Sequence, residues 1–222
     1  MTATTDRVEA VSLVDRVLTL TRDRILSGAY PPGTRLRLQT LAEESGASLI
    51  PVREALRVLE AERLVETIPN RGARVSSLSQ DDMEDLYSVR IILETQALRE
   101  SPPMTEEEAE MFRSLLDRLK VAVEADDADL ILDLHRQYHF GLYGRSHSNW
   151  LPLLIDLLWK HTERYQRLSL SFRHDGADHE HREVLEALAA GKTERAVQAL
   201  RNHLSTTARL VGDGYREQLD EA

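Results

Sequence analysis

Two groups of side chains in this 222-residue sequence could do chemistry. His135 and His139 stand four residues apart in a stretch that also carries Ile131, Tyr138 and Leu142 at helical spacing. That spacing puts two imidazoles on one face of a helix, where they can share a metal ion. His181 sits beside Val184, Leu185 and Leu188, and His203 among Ala196, Leu200, Thr207 and Val211. Three helices therefore each bring histidine to their apolar side, although a histidine there can also be an ordinary hydrogen-bonded core residue. The remaining His147, His161, His174 and His179 fall near helix ends or in an Arg-rich loop and read as surface.

The second group is arginine. In Ser48–Leu64, Val52, Ala55, Leu56, Leu59 and Leu64 form one apolar stripe that leaves Arg53, Arg57 and Glu60 outside it. A guanidinium at the start of such a helix can hold a phosphate or the O6/N7 edge of guanine with two hydrogen bonds. Ser48 can cap this helix, with Pro51 in its first turn, where a missing amide hydrogen is tolerated.

Two regions must position these residues. The spacing predicts a first helix over Val8–Ser27, stopped by Gly28, then a Pro/Gly turn in AYPPGTRL, then two helical turns over Leu38–Ser45 ended by Gly46. With the capped helix that follows, this is a helix-turn-helix. VETIPNRGARV then reads as a small hairpin or wing. From Ser79 onward the pattern is helical throughout: a helix from Ser79–Asp82 that stops before Pro102, then helices over 105–124, 128–145, 151–170, 177–190 and 193–211. Six helices with charged turns imply an antiparallel bundle. Trp150, Trp159 and Tyr165 read as core of that bundle.

Composition agrees with a mainly α fold: aromatics are 5%, apolar residues 41% and charged residues 30%. The absence of cysteine excludes disulfides, thiolate metal sites and cysteine nucleophiles, and fits a reducing cytoplasm. The N-terminus lacks an apolar signal region, and the most apolar run, Leu151–Trp159, is short and broken by Asp156, so no membrane association is expected. Net charge is −10, but it is uneven: residues 1–78 hold 11 Arg against 10 acidic residues, and the remainder 17 basic against 28 acidic. A near-neutral N-terminal part can still concentrate arginine on one face and bind phosphates there.

The pieces PPGTRL, LAEESGAS, PVREALRVLEAERLV and PNRGARV resemble, in order and spacing, the winged helix-turn-helix of the GntR family of bacterial transcription regulators. EHREVLEALAAGKTERAVQALRNHL, with the helices before it, resembles the FCD effector domain of the FadR subfamily. The resemblance implies a winged DNA-binding domain over residues 1–77 and a helical effector-binding and dimerisation domain over 78–222. It makes Arg53 the main DNA contact, supported by Gln39, Ser48, Pro51 and Arg57, with Arg71 and Gly72 in the wing. Where the family commonly has an Arg after the position of Ser48, this chain has Leu49, and Arg63 replaces a usual Gly at the exit of the recognition helix.

The resemblance also implies a metal, held in that domain by an Asp or Asn and three His. His139, His181 and His203 fall on the histidine positions, while His135 takes the acidic one. Four neutral imidazoles favour zinc or nickel over magnesium or calcium, and an open coordination position could take an effector carboxylate. Arg90, in the family's R-x-x-x-E setting with Glu94, and Tyr138 are candidate effector contacts; an internal Arg90–Glu94 pair is the competing role for Arg90. The expected function is a metabolite-responsive regulator, a repressor, that binds a double-stranded operator as a homodimer and answers to a small organic acid. A purely structural metal remains an alternative. A metal-dependent hydrolase is the third reading, and it lacks a general base, since Arg136, Gln137 and Tyr138 separate the paired histidines.

Overall fold

The computed structural model describes residues 12–68, 72–169 and 176–221. The chain divides into two compact units, Met1–Leu78 and Ser79–Ala222.

In the first unit α1 (Leu13–Leu26) begins where Ser12 Oγ accepts the amide of Asp15 at 3.0 Å, later than the expected start at Val8, which lies outside the described residues. Strand β1 (Arg35–Leu36) leads into α2 (Leu38–Ser45), α3 (Leu49–Ala61) and the hairpin β2 (Val65–Ile68) and β3 (Gly72–Val75). The sheet is antiparallel with order β1-β3-β2, and β1 is a strand that the sequence reading took for a turn. Two paired residues are too few to show a period. α1 and α3 enclose a core of Val17, Ile25, Val52, Ala55 and Leu59, closed below by Leu64, Val65 and Val75.

Glycine and one arginine set the turns. Gly46 ends α2 with φ 65°, which leaves α3 free to start three residues later. Gly72 has φ 90°, and a Cβ there would meet the Leu36 carbonyl oxygen at 2.7 Å, so only glycine lets β1 approach β3. Ser48 holds the extended conformation of a cap, but its side chain makes no capping hydrogen bond, contrary to expectation. Past the end of α3, Arg63 takes φ 57°, in the left-handed region. A left-handed turn is thus made without the residue that suits it. Arg22 grips Glu62 beside it with two hydrogen bonds of 3.0 and 2.6 Å.

The second unit is α-helical throughout its described residues: α4 (Gln80–Arg99), α5 (Glu106–Glu124), α6 (Ala128–Tyr143), α7 (Leu151–Ser169), α8 (Ala177–Ala189) and α9 (Thr193–Glu221). Caps mark the starts. Ser79 Oγ accepts the Asp82 amide, Thr105 and Glu108 form a reciprocal capping box, and Asp127 accepts the Leu130 amide. α9 packs against α4, α7 and α8, and α5 against α6 and α8. It runs well past the expected end at Val211, because Gly212 is a packing residue: a Cβ there would meet Met83 Cε of α4 at 3.0 Å.

Trp159 and Tyr165 are buried, as expected of core, but Trp150 is 72% exposed and is not. It starts an outward row on α7, with Leu153, Leu154 and Leu157, at i, i+3, i+4 and i+7. No helix among the described residues is long and apolar enough to cross a membrane.

A left-handed conformation costs an L residue about 1–2 kcal/mol, and the extra backbone freedom of glycine offsets about 0.5–1 of it. Arg63→Gly is therefore expected to stabilise the first unit by about 0.5–1 kcal/mol. Urea unfolding followed by circular dichroism measures this; an unchanged or lower midpoint would mean that the Arg63 side chain contributes more than its conformation costs.

Candidate functional site

In the first unit the ion pairs sort the arginines. Arg22 is held by Glu62, Arg24 by Glu44, and Arg74 by Glu66 across the β2–β3 register. Arg53 and Arg57, one turn apart on the exposed side of α3, make no ion pair among the described residues. They line a groove with Gln39, Leu49, Arg35 and Arg37, floored by Leu56 and Ala73. Guanidinium groups without an ion pair among the described residues, on the exposed side of such a helix, are an arrangement suited to phosphates and base edges.

Arg35 and Arg37 were missed by the sequence reading. The signal was there in TRLRL: in an extended segment, Arg35 and Arg37 share the face opposite Leu36, which is 3% exposed. Ser48 is exposed at the head of α3 beside Leu49 and Ile50, the latter 69% exposed. Pro51, expected among the DNA contacts, is buried in the first turn of α3, where it suits a helix start. Gly72 lines the same groove, and Arg71 lies outside the described residues.

In the second unit four histidines converge. His135 and His139 come from α6, His181 from α8 and His203 from α9, all buried, and one ring nitrogen of each lies within 4.8 Å of the others. His139 Nε2 is 3.1 Å from His135 Nε2 and 3.2 Å from His181 Nε2. Nitrogens bound about 2.0–2.1 Å from one zinc-like ion, side by side, stand about 3–3.5 Å apart, so the spacing fits a shared ion.

The proton positions follow from the surrounding hydrogen bonds. Tyr143 donates its hydroxyl proton to Glu94 Oε2, so the 2.9 Å contact between Tyr143 Oη and His139 Nδ1 has to be an N–H donated by the histidine. That tautomer leaves the lone pair on Nε2, facing the cluster. His203 Nδ1 likewise donates to Glu180 Oε2 at 2.8 Å and presents Nε2 inward. One lone pair on His139 Nε2 cannot satisfy two ring nitrogens, whereas a cation between them would satisfy all three.

Burial, then the neighbouring His203 and Arg90, depresses the His135 pKa to about 3; burial and the other three histidines hold His139 well below its ordinary value. Burial first, and then Glu94, raises Tyr143 well above the ordinary tyrosine value. His135 and His139 are thus neutral, and Tyr143 keeps its proton. Tyr143 and Glu180 were not foreseen as supporting groups; the first was legible as the third member of an i, i+4, i+8 row with His135 and His139.

Arg90 is 1% exposed, pairs with Glu94 through Nε at 2.7 Å and donates from Nη1 to Thr162 Oγ1 at 3.2 Å. The internal pair is therefore real, although Arg90 still adds positive charge beside the cluster. Tyr138, expected as an effector contact, donates its hydroxyl proton to the His181 carbonyl oxygen at 2.7 Å and ties α6 to α8. His147 and His179 are exposed and His161 is half-buried; His174 lies outside the described residues.

Comparison with known proteins identifies both units. Residues 13–75 match the family model for bacterial regulatory proteins of the gntR family, and residues 85–206 match the FCD domain. The HTH-type transcriptional regulator BphR of Paraburkholderia xenovorans is 31% identical over 209 residues, which span 90% of this chain and 85% of BphR. The gluconate operon transcriptional repressor of Bacillus subtilis is 34% identical over 157 residues, 68% of this chain and 63% of that protein. A GntR-type regulator from Rhodococcus sp. RHA1 is similar in structure, with a TM-score of 0.75 and 26% identity over 89% of this chain and 96% of that one. A winged helix-turn-helix with exposed arginines on its second helix, followed by this helical unit, makes the chain a member of the GntR family of transcriptional regulators with an FCD domain, and not an enzyme.

Proposed function

We propose that the chain is a homodimeric, cytoplasmic repressor that binds a two-fold operator through Arg53, Arg57 and the wing, and releases it when a small organic acid enters the histidine-lined centre of the FCD domain. The observation that carries this reading is the convergence of four buried imidazole nitrogens within 4.8 Å. The name of the Bacillus relative, a repressor of a gluconate operon, points to the same class of control.

His135, His139, His181 and His203 would hold a divalent ion, zinc or nickel given an all-nitrogen donor set. Bound there, the ion would supply a Lewis-acidic position for a carboxylate. Tyr143 and Glu180 fix the tautomers of their histidines, and Arg90 supplies positive charge next to the entering acid. The acid acts only through a difference in its affinity for the operator-competent and operator-incompetent arrangements. One short recognition helix reads few base pairs, so two copies are needed. The outward row of Trp150, Leu153, Leu154 and Leu157 supports pairing through the second unit. A structural-metal reading is favoured by one observation, the occupation of Arg90 by Glu94 and Thr162.

Arg53→Ala is expected to weaken operator binding about 10- to 100-fold with the fold intact, an effect of about 1–3 kcal/mol; unchanged affinity in a mobility-shift titration at moderate salt removes Arg53 from the interface. Purified protein should carry close to one divalent ion per chain, lost in His139→Ala, with affinity reduced about 10-fold or more in Tyr143→Phe through the misplaced His139 tautomer. Elemental analysis and a competitive chelator titration measure both, and an ion-free wild type would falsify the metal claim. Leu153→Glu should shift the sedimentation coefficient from dimer to monomer; a dimer that survives it places the pairing surface elsewhere. Carboxylates that shift operator affinity in the wild type but equally in His139→Ala would leave the metal a structural role.

A further inference from the structure

α3 presents two outward rows of opposite character. Leu49, Arg53 and Arg57 follow one another at i, i+4 and i+8, and Ile50, Glu54 and Val58 form the row beside them, about 100° round the helix. All six side chains are exposed. The first row lines the groove that also holds Arg35, Arg37 and Gln39, and no residue of the second row does. A polyanion approaching α3 is drawn to the basic row and repelled by Glu54, so charge complementarity decides which row faces it. Glu60, the acidic residue of the groove, sits toward the other end of α3, where its carboxylate accepts the Thr67 amide at 3.0 Å.

The leading end of the basic row is apolar. Leu49 is the first residue of α3, 39% exposed, and one turn before Arg53. A lone exposed leucine needs no explanation. One that heads a row of arginines does, because the N-terminal residues of a recognition helix are the ones that meet base edges. Leu49 can neither donate nor accept a hydrogen bond, so it cannot read the nitrogen and oxygen groups of a base pair. The apolar group that the major groove offers is the C5-methyl of thymine.

We infer that Leu49 is a specificity residue that selects a thymine in each operator half-site through contact with the methyl group of that base. The inference rests on the proposed operator reading and names one base that the operator has to contain. Four residues of helix rise about 6 Å, close to two base-pair steps of about 3.4 Å, so the selected thymine lies about two base pairs from the position under Arg53. Covering one methyl group contributes about 4-fold in affinity.

The test starts from a random-core duplex library, from which the full-length protein selects its two-fold site with and without added zinc. In the selected duplex each thymine is replaced in turn by deoxyuridine, which removes the methyl group and nothing else, and affinity is read by fluorescence anisotropy. The wild type should lose about 4-fold at one thymine of each half-site. Leu49→Ala, whose side chain stops at Cβ, should bind the thymine and uracil duplexes of that position equally. Val58→Ala should keep the full methyl dependence, since Val58 is as exposed as Leu49, at 39%, but stands in the row outside the groove. Each comparison sets two duplexes against one protein, so a change in the stability of a variant cancels. A selected site in which no thymine depends on its methyl group, or a dependence that survives Leu49→Ala, overturns the inference and leaves the operator reading intact. Failure of the library to yield a two-fold sequence removes the operator reading and the role of Leu49 together.

Discussion

Glu94 is the group on which the second unit's interior depends. Its side chain is wholly buried, and it receives Arg90 from its own helix, Trp159 from α7 and Tyr143 from α6. A carboxylate so enclosed is tolerable only with its charge paired and its lone pairs filled, so the three donors are fixed by the same requirement that fixes Glu94. The consequence passes outward. Because Tyr143 must donate to Glu94, His139 must donate to Tyr143, and the lone pair of His139 is left pointing at the other histidines. A buried acid on α4 in this way sets the tautomer of a histidine on α6 without touching the cluster itself.

The first unit solves the opposite problem. There the need is to keep charge unpaired at one surface while the rest of the domain stays near neutrality. Glu62, Glu44 and Glu66 each take an arginine that supports the fold, and α3 carries two guanidinium groups without an ion pair among the described residues on the side away from its apolar stripe. The acidity of the whole chain belongs to the other unit, so net charge alone would misjudge this face.

How much of this was legible follows from the physical range of each signal. Helical spacing showed the stripe of α3 and the inward set of His135, His139, His181 and His203, because burial and period are local properties. Arg63 was legible as a departure, and its left-handed φ shows that tertiary packing holds the turn where the residue type does not. What stayed hidden depends on pairs distant in sequence. Tyr138 looked like a ligand contact until its hydroxyl proved to be spent on the His181 carbonyl, 43 residues away. Trp150 looked like core because apolar character does not say which side of a helix is covered. Strand β1 exists only through its register with β3, which no local pattern encodes.

The departure at His135 bears on how metal and acid would depend on each other. Arg90 and Glu94 cancel within the buried interior, and the neutral His135 and His139 add nothing, so a divalent ion in the cluster would have its charge offset within the chain only by Glu180 beside His203. A site that kept a carboxylate at the position of His135 would neutralise half of that charge from within the protein. Here Glu180, reached through His203, would offset part of that charge from within the protein, and under the proposed function a ligand carboxylate would supply the rest. Ion and acid would then bind cooperatively, each more tightly in the presence of the other, and thermodynamic reciprocity makes the coupling equal in both directions. Under the proposed function, His135 in place of an acid would transfer part of the metal's charge balance from the chain to its effector, and occupancy of the centre would then report on the effector's concentration.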